Sequence, residues 1–424
     1  MKTNIKYEKI FEIPVLTFKE YAKENGIFFD EGDGGIYLNK DINLGEEESR
    51  AERKDGGIKI SASTEKGMHI ALAKLLGKIK KSDDGIEIDA FEGVNPDMHY
   101  RALSVDLARQ IHPVKYIFKY IDTCYLSCAT HLQLHFTDNE SFTLPMKAYP
   151  KLSTEGKTYT YEEIQSICDY AESRGIELIP EVDLPGHTKQ FCDKYPELFG
   201  TLNILPADEE VFAAIKTIYS EVCDMFKNSP WIHIGGDEAQ IERWNECEKT
   251  RAYMKKNGIK DVNEMYGEYI RIATEIIFEL GRTPVVWEGF SKEYNDRISK
   301  DVIVICWEYL YQRAEDLAAS GFTLINASWV PLYIVTARKE WYWKTEDIKN
   351  NWDPWTWRNW WNKSLAYPDG AKIDRDKSNV IGAQICAWGD GLRNLVNWES
   401  GVKEELCRIQ EKLPVLCEKL INLD

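Results

Sequence analysis

The stretch Trp231-Ile232-His233-Ile234-Gly235-Gly236-Asp237-Glu238 is a short apolar run that ends in a glycine pair and two adjacent carboxylates. A run of this length before a glycine pair fits a buried strand better than a helix. Neighbouring acids at the mouth of a buried strand repel each other and resist desolvation, so the pKa of at least one is expected to rise. A carboxyl that keeps its proton near neutral pH can act as a general acid.

Working outward, comparable runs recur near 101–105, 131–136, 176–181, 283–287, 302–306, 323–326 and 380–386. Helical periodicity separates them at 114–127, 161–173, 211–226, 262–280 and 311–320, and 398–420 closes the chain. Eight strands with helical crossovers predict an α/β fold of the (β/α)8 TIM-barrel type. The alternative, an open doubly wound sheet, calls for a glycine-rich phosphate loop after the first strand, and the sequence has none. Ahead of the barrel, Gly57 to Ser63 alternates as a strand, and Glu65 to Lys80 carries Met68, Leu72, Leu75 and Leu76 on one helical face. Gly85 to Phe91 follows as another strand. Pro96 disfavours helix at Asn95, so the expected division is a small N-terminal α+β accessory domain over 1–95 and a catalytic barrel over 96–424.

A barrel carries its chemistry where its strands end. Asp106 and Arg109 follow strand one, Thr137 to Glu140 strand two, and Glu181, Asp183 and His187 strand three. Trp287, Trp307 and Trp388 follow strands five, six and eight. Acids on one wall and indoles on the others describe a sugar pocket, because hydroxyls want polar partners while the C–H face of a pyranose stacks on aromatic rings.

The formal charge of −17 over 424 residues opposes encounter with nucleic acid or an anionic membrane surface. No apolar run reaches the length of a membrane span, and Met1 to Pro14 lacks the uninterrupted apolar core of a secretory signal. Ten scattered cysteines without a CxxC pair fit reduced thiols and a cytoplasmic location.

Four segments in order, Tyr100-Arg101-Ala102-Leu103 with Asp106 and Arg109, Leu134 to Asp138, Pro180 to Thr188, and His233 to Glu238, resemble the family 20 glycoside hydrolases, the β-N-acetylhexosaminidases. Cα atoms of consecutive residues lie about 3.8 Å apart, so Asp237 and Glu238 are poorly placed to be nucleophile and acid on opposite faces of one sugar. The resemblance implies that the substrate's own 2-acetamido oxygen attacks C1, giving an oxazolinium intermediate and retention of configuration. It gives Asp237 the task of orienting the acetamido N–H and Glu238 that of acid and then base. It places Arg101 on hydroxyls of the terminal sugar and makes Trp287, Trp307 and Trp388 the pocket walls. His187, Asp138 and Asp183 become the polar groups that tune Glu238.

Two positions depart from the family pattern. Its Tyr-x-Asp after strand seven becomes Tyr333-Ile334-Val335, which leaves Tyr333 and Asp237 to hold the acetamido group, and its Trp-x-Glu after strand eight becomes Trp388-Gly389-Asp390. The implied partner is an oligosaccharide or glycoconjugate ending in a β-linked N-acetylhexosamine. No cofactor is expected, and Glu181, Asp183 and His187 lack a metal-binding spacing. Two other readings stay open: a pocket remodelled for a modified sugar such as a 6-sulfated hexosamine, and a carbohydrate-binding barrel without turnover. Arg109 is either an ion-pair partner of Asp106 or a sugar ligand, while His135 and His233 read as hydrogen-bonded core residues. Residues 341–361 hold seven of the fourteen tryptophans, either as glycan platforms or as packing for an irregular insertion, with Trp352 on the packing side.

Overall fold

Alternating and continuous apolar runs sort most of the chain into two large sheets, beside two two-stranded ribbons, in the computed structural model, which describes residues 2–54, 56–82, 85–307, 311–338, 341–359, 371–392 and 397–423. The first sheet ends at Val94 and the second begins at Tyr100. In the first, Lys2–Tyr7 lies between Phe28–Glu31 and Gly35–Lys40, all parallel. Gly57–Ala62 continues the parallel run, and Ser49–Lys54 and Gly93–Val94 finish the sheet in antiparallel pairing. Helices Glu12–Glu24 and Glu65–Leu76 supply the apolar faces that bury it, with Phe11, Phe18, Ile36, Ile60, Met68 and Leu72 at the centre. The sequence showed the strand Gly57–Ala62 and the helix from Glu65, but that helix ends at Leu76, before Gly77, and Ile79–Ser82 is instead a strand paired with Gly85–Ile88. Lys2–Tyr7 and Glu12–Glu24 mix charges too closely with apolar residues to show a clean period, and Gly35–Lys40 is too short to stand out.

The second sheet is the expected barrel. Its strands are β1 (Tyr100–Asp106), β2 (His131–His135), β3 (Glu177–Glu181), β4 (Trp231–His233), β5 (Thr283–Trp287), β6 (Ile303–Cys306), β7 (Thr323–Asn326) and β8 (Asn379–Trp388). All neighbours are parallel, and β8 closes the ring by pairing with both β7 and β1. Gly382 permits the closure: its φ is +152°, and a Cβ there would stand 1.7 Å from the Tyr100 carbonyl oxygen. The crossover helices are α1 (Val114–Leu126), α2 (Tyr161–Ser173), α3 (Glu209–Met225), α4 (Val262–Glu279) and α5 (Ala314–Ala319), followed by the closing α6 (Trp398–Ile421). Their starts are written in polar residues. Thr160 and Glu163 form a reciprocal capping box on α2, and Asp208 and Asp261 cap α3 and α4. α5 is shorter than its apolar pattern suggested; part of the stretch before it, 308–310, lies outside the described residues.

Sequence reasoning missed one element that matters for the site. Tyr333–Val335 forms a short strand on β8, pairing Tyr333 with Cys386, Ile334 with Ala387 and Val335 with Trp388. It takes the place beside β8 that β7 gives up after Asn326, and so carries Tyr333 and Val335 to the upper rim. Among the described residues, no helix is long and apolar enough to cross a membrane.

Candidate active site

The strand-end residues converge on a pocket of about 240 Å³. Where β4 ends, the backbone leaves strand geometry: φ is +75° at Gly235, +97° at Gly236 and +46° at Glu238. The turn lets two consecutive acids reach one pocket, which a continuing strand would forbid. A Cβ on Gly235 would fall 1.8 Å from Asp183 Oδ1, so glycine is required for steric as well as torsional reasons. The Gly236 N–H donates to the same Asp183 oxygen at 3.1 Å. His187, facing Glu238, also lies in the left-handed region at +52°. Strained non-glycine residues on both sides of a pocket are the kind of cost a fold retains where geometry serves function.

The acidic wall is an alternating series of carboxylates and imidazoles. Glu181, wholly buried, accepts from Gln133 and from the Trp287 indole, both at 2.7 Å, and lies 3.0 Å from His135 Nδ1. His135 Nε2 is 3.2 Å from Asp138, which is 3.2 Å from His187 Nδ1, and His187 Nε2 is 3.4 Å from Glu238. Burial alone would neutralise these groups. Against that burial, Glu181, Asp138 and Asp183 hold His135 and His187 well above the usual imidazole range. Asp138 is likewise held far below the carboxylate range, despite burial, by Arg109, His135 and His187. His233 is the neutral exception. Burial lowers it to about 4, and its Nδ1 accepts from the Gly235 N–H at 3.0 Å.

The sequence led us to expect a raised pKa within the acid pair, and the rise falls on Asp237. Burial pushes it up to about 6, helped by the charges of Glu238 and Glu181. Asp183 is driven well above its usual value by burial and by Asp237, so it holds a proton that it can share with Asp237. Glu238 is lowered by its hydrogen bond to His187, and about half of its side chain (51 %) is exposed. One oxygen of Asp237, Oδ1, is buried with no hydrogen-bond partner among the described residues. Two sets of residues bring possible metal-ligand atoms together, His135-Glu181-Asp183 and Asp183-His187-Asp237. Both include an imidazole that the surrounding carboxylates hold well above its usual range, so a cation there would have to displace a proton.

The structure corrects the assignment of Arg101. That side chain is fully buried at the start of β1, where it donates to the Cys128 carbonyl at 2.9 Å and pairs with Glu47 at 2.8 Å. It ties the N-terminal unit to the base of the barrel and lies at the end of β1 opposite the pocket. Arg109 is the arginine in the pocket. Its guanidinium meets Asp106 and Asp138 at 2.9 Å each and Asp390 at 3.5 Å, and lies over the Trp388 ring at 5.4 Å. The two readings of Arg109 are therefore compatible: Asp106 fixes it, and its other edge borders the pocket with Asp390.

The aromatic wall is also rearranged relative to expectation. Trp307, Tyr333 and Trp388 line the pocket, whereas Trp287, 1 % exposed, stands behind it and braces Trp388 at a centroid distance of 5.9 Å. Trp329, not singled out from the sequence, and Trp341, the first tryptophan of the Trp-rich segment, complete the wall. Trp329 stacks on Tyr333 at 4.8 Å and 23°, and Trp341 meets Trp329 edge-on at 5.4 Å. Val335 lines the same side. The buried ammonium of Lys412 in α6 donates to the carbonyls of Pro331 and Tyr333 at 3.1 and 3.5 Å, which fixes the short strand from behind. Of the Trp-rich insertion, Trp341 faces the pocket, while Trp343, Trp352, Trp355 and Trp357 are buried packing residues. Trp360 and Trp361 lie outside the described residues. Asn326 anchors the insertion by donating to the carbonyls of Pro354 and Thr356, both at 3.0 Å.

Comparison with known proteins identifies the framework. The profile of glycosyl hydrolase family 20, catalytic domain, matches residues 98–412. The chain belongs to that family. It is therefore a glycoside hydrolase, and residues 98–412 contain every pocket residue named above. Among its relatives are the beta-hexosaminidase subunit beta of Entamoeba histolytica, 26% identical over 84% of this chain and 67% of that protein, and the beta-hexosaminidase of Akkermansia muciniphila, 27% identical over 74% and 68%. The chain covers about two thirds of those two proteins and just over half (56%) of the cat beta-hexosaminidase subunit beta. The fold is shared with the family 20 exo beta-N-acetylglucosaminidase of Vibrio harveyi, at a TM-score of 0.78 and 21% identity over 99% of this chain and 70% of that one.

Proposed function

We propose that the chain is an exo-acting, retaining β-N-acetylhexosaminidase that removes terminal GlcNAc or GalNAc through an oxazolinium intermediate. The observation that carries this reading is Asp237 Oδ1, a buried carboxylate oxygen without a partner among the described residues, beside the half-exposed Glu238. An N–H of the substrate's acetamido group would satisfy that oxygen and turn the amide oxygen toward C1. On the aromatic side, the described lining residues Trp307, Trp329, Tyr333, Val335, Trp341 and Trp388 include no acid that could serve as a nucleophile from the other face. Retaining enzymes that use their own nucleophile place two carboxyls about 5–5.5 Å apart across the sugar. Attack from within the substrate replaces that arrangement, and intramolecular reactions of good geometry reach effective molarities of about 10⁵–10⁸ M.

The amide oxygen bonds to C1 as the C1–O bond to the leaving group breaks, and Glu238 gives that oxygen its proton. Asp237 stabilises the positive charge on the oxazolinium nitrogen. Water then adds to C1 as Glu238 takes its proton, and the ring opens to the retained β-anomer. A pocket of about 240 Å³ suits one pyranose, which supports action at chain ends. Arg109 and Asp390 offer a donor and an acceptor to hydroxyls of that ring.

The ten cysteines, all unpaired in the structure, favour a reducing, cytoplasmic setting. Val335 favours the modified-sugar variant of this reading as well, since an apolar side chain at the rim makes no demand for a hydroxyl there.

Hydrolysis of p-nitrophenyl N-acetyl-β-glucosaminide and its galacto epimer, followed by NMR of the fresh anomer, tests the proposal. The β-anomer is expected first. An α-anomer, or folded protein inert on both substrates, overturns it. A pH dependence follows too. The free enzyme must have Asp237 ionised and Glu238 protonated, and Asp237 titrates near 6 while Glu238 is held below its ordinary value. The productive form carries the pair's single proton on Glu238 although Asp237 holds it more tightly, so the kcat/KM profile should be a bell whose alkaline limb is loss of that last proton near pH 6, with its maximum on the acid side of that value. A plateau extending to pH 8 contradicts it.

A further inference from the structure

A second cavity, of about 620 Å³, opens at the other end of the barrel, where the strands begin. Its floor is a stack of rings from the first residues of β1, β2 and β4. Tyr100 and His131 lie 4.7 Å apart, His131 and Trp231 4.9 Å at 18°, and Tyr100 and Trp231 5.6 Å at 15°. Tyr100 and His131 are sealed beneath, whereas Trp231 keeps part of its surface open and borders the cavity. The amino-terminal face of a barrel ordinarily serves stability and is closed by packing. Here it presents part of an indole inside a concave, polar rim.

The rim mixes signs. Glu47 and Lys66 come from the N-terminal unit and Glu177 from the start of β3, with Lys66 Nζ 3.2 Å from Glu47 and 2.9 Å from Glu177. Arg375 and Asp376 enter from the segment before β8, and Arg375 lies over the Trp355 ring at 4.9 Å. Burial keeps His131 neutral. Five carboxylates (Glu46, Glu47, Asp97, Glu177 and Asp376) thus face Lys66 and Arg375, with Arg101 behind Glu47 as a third permanent cation, and the remaining excess of acid disfavours an anionic ligand. A polyol suits such a rim, because each hydroxyl can donate to a carboxylate and accept from an ammonium or guanidinium. The indole suits the apolar face of a pyranose. The volume falls in the range of ligand sites, about 300–1,000 Å³, and exceeds that of the catalytic pocket.

We infer that this cavity is a second saccharide site, which binds a neutral oligosaccharide with one ring stacked on Trp231, at the end of the barrel opposite the catalytic pocket. Occupancy there leaves the catalytic pocket free, so one branch of a glycan can be held while another chain end is presented for cleavage, raising its effective concentration. The inference does not depend on the reaction proposed above, since it concerns binding alone.

Titration of the full chain with cellotriose and maltotriose, which lack the acetamido group, and of Asp237→Asn protein with chitotriose, followed by calorimetry and tryptophan fluorescence, tests it. At least one of the three is expected to bind and to perturb the fluorescence. Trp231→Leu should weaken that binding at least tenfold while leaving turnover of the p-nitrophenyl glycoside unchanged. Arg375→Ala, on the exposed rim, should weaken it several-fold and serves if Trp231→Leu does not fold. Absence of binding by all three sugars, binding indifferent to both substitutions, or tighter binding of a sulfated trisaccharide than of its neutral parent overturns the assignment. The binding signal is read whether or not the glycoside is hydrolysed.

Discussion

Replacing Asp237 with Asn is expected to lower kcat/KM by roughly 10²–10³ on every substrate, whatever its leaving group, because the lost charge faces cationic character that develops at each step. Glu238→Gln should behave differently. General acid assistance contributes roughly 10²–10⁴ where the departing oxygen is strongly basic and little where it is not, so this variant should lose most activity on a disaccharide and far less on a dinitrophenyl glycoside. The environments of the two carboxylates underlie the contrast. Asp237 is buried and already close to its protonated form near pH 6, so removing its charge changes the interior field of the pocket. Glu238 is half exposed and bonded to His187, open to water and to a leaving group. A series of aryl glycosides with graded leaving-group pKa separates the two roles: a flat response for Asp237→Asn and a steep one for Glu238→Gln. Near-wild-type rates in both variants, or identical slopes, would remove the assignment.

Most of this site could be read from the chain, and the reason is geometric. A parallel barrel strand is buried on both faces, so it appears as an apolar run, and its chemistry lies within a few residues of the end of that run. Asp138, Asp183, His187, Asp237, Glu238 and Asp390 all follow such ends and all line the pocket. Arg101 failed the same rule. It is the second residue of β1, and the structure uses it to pair with Glu47; Arg109, three residues past the strand's end, meets the rule and borders the pocket. Trp287 is a subtler case, because its indole N–H is committed to Glu181, a buried acceptor that nothing in the spacing reveals. Trp329 was beyond reach, and Trp341 could not be told apart from the other six tryptophans of 341–361, for a different reason. Their place depends on the short strand Tyr333–Val335, whose three residues carry no period, and on long-range pairing with β8.

The exchange of charge along the acidic wall was legible only as composition. The residue types of Glu181, His135, Asp138 and His187 are visible in the sequence, but their order in space alternates acid and imidazole, and that order decides which carboxylate is raised. Adjacent acids predict a rise without saying where it falls. Burial puts it on Asp237, and the His187 contact withholds it from Glu238. The proton that Glu238 must donate therefore depends on what the bound sugar does to its surroundings: covering a half-exposed carboxyl with a pyranose and its aglycone removes water and moves its pKa upward.

The largest expected effect on stability lies away from the pocket, at Glu405 in α6. This side chain is 1 % exposed and accepts from the Tyr120 hydroxyl at 2.9 Å. His112, 3.9 Å away, gives it no counter-charge, because burial lowers that imidazole to about 4. Burial in turn pushes Glu405 up to about 8 from an ordinary 4.5. Between those two values the unfolded chain has released the proton and the folded chain retains it, so the unfolded state binds fewer protons and stability falls as pH rises. The loss begins above pH 4.5, is complete by about pH 8 and amounts to roughly 5 kcal/mol at most, at about 1.4 kcal/mol per pKa unit. Glu405→Gln keeps the acceptor for Tyr120 and cannot ionise. It should match the wild type near pH 4.5 and exceed it by several kcal/mol above pH 8, as measured by urea unfolding at a series of pH values. Parallel curves for the two proteins between pH 5 and 8 would mean that Glu405 is not the group that carries this proton. The effect should leave kcat/KM on the aryl glycosides unaltered at pH 5, where both proteins are neutral at this position.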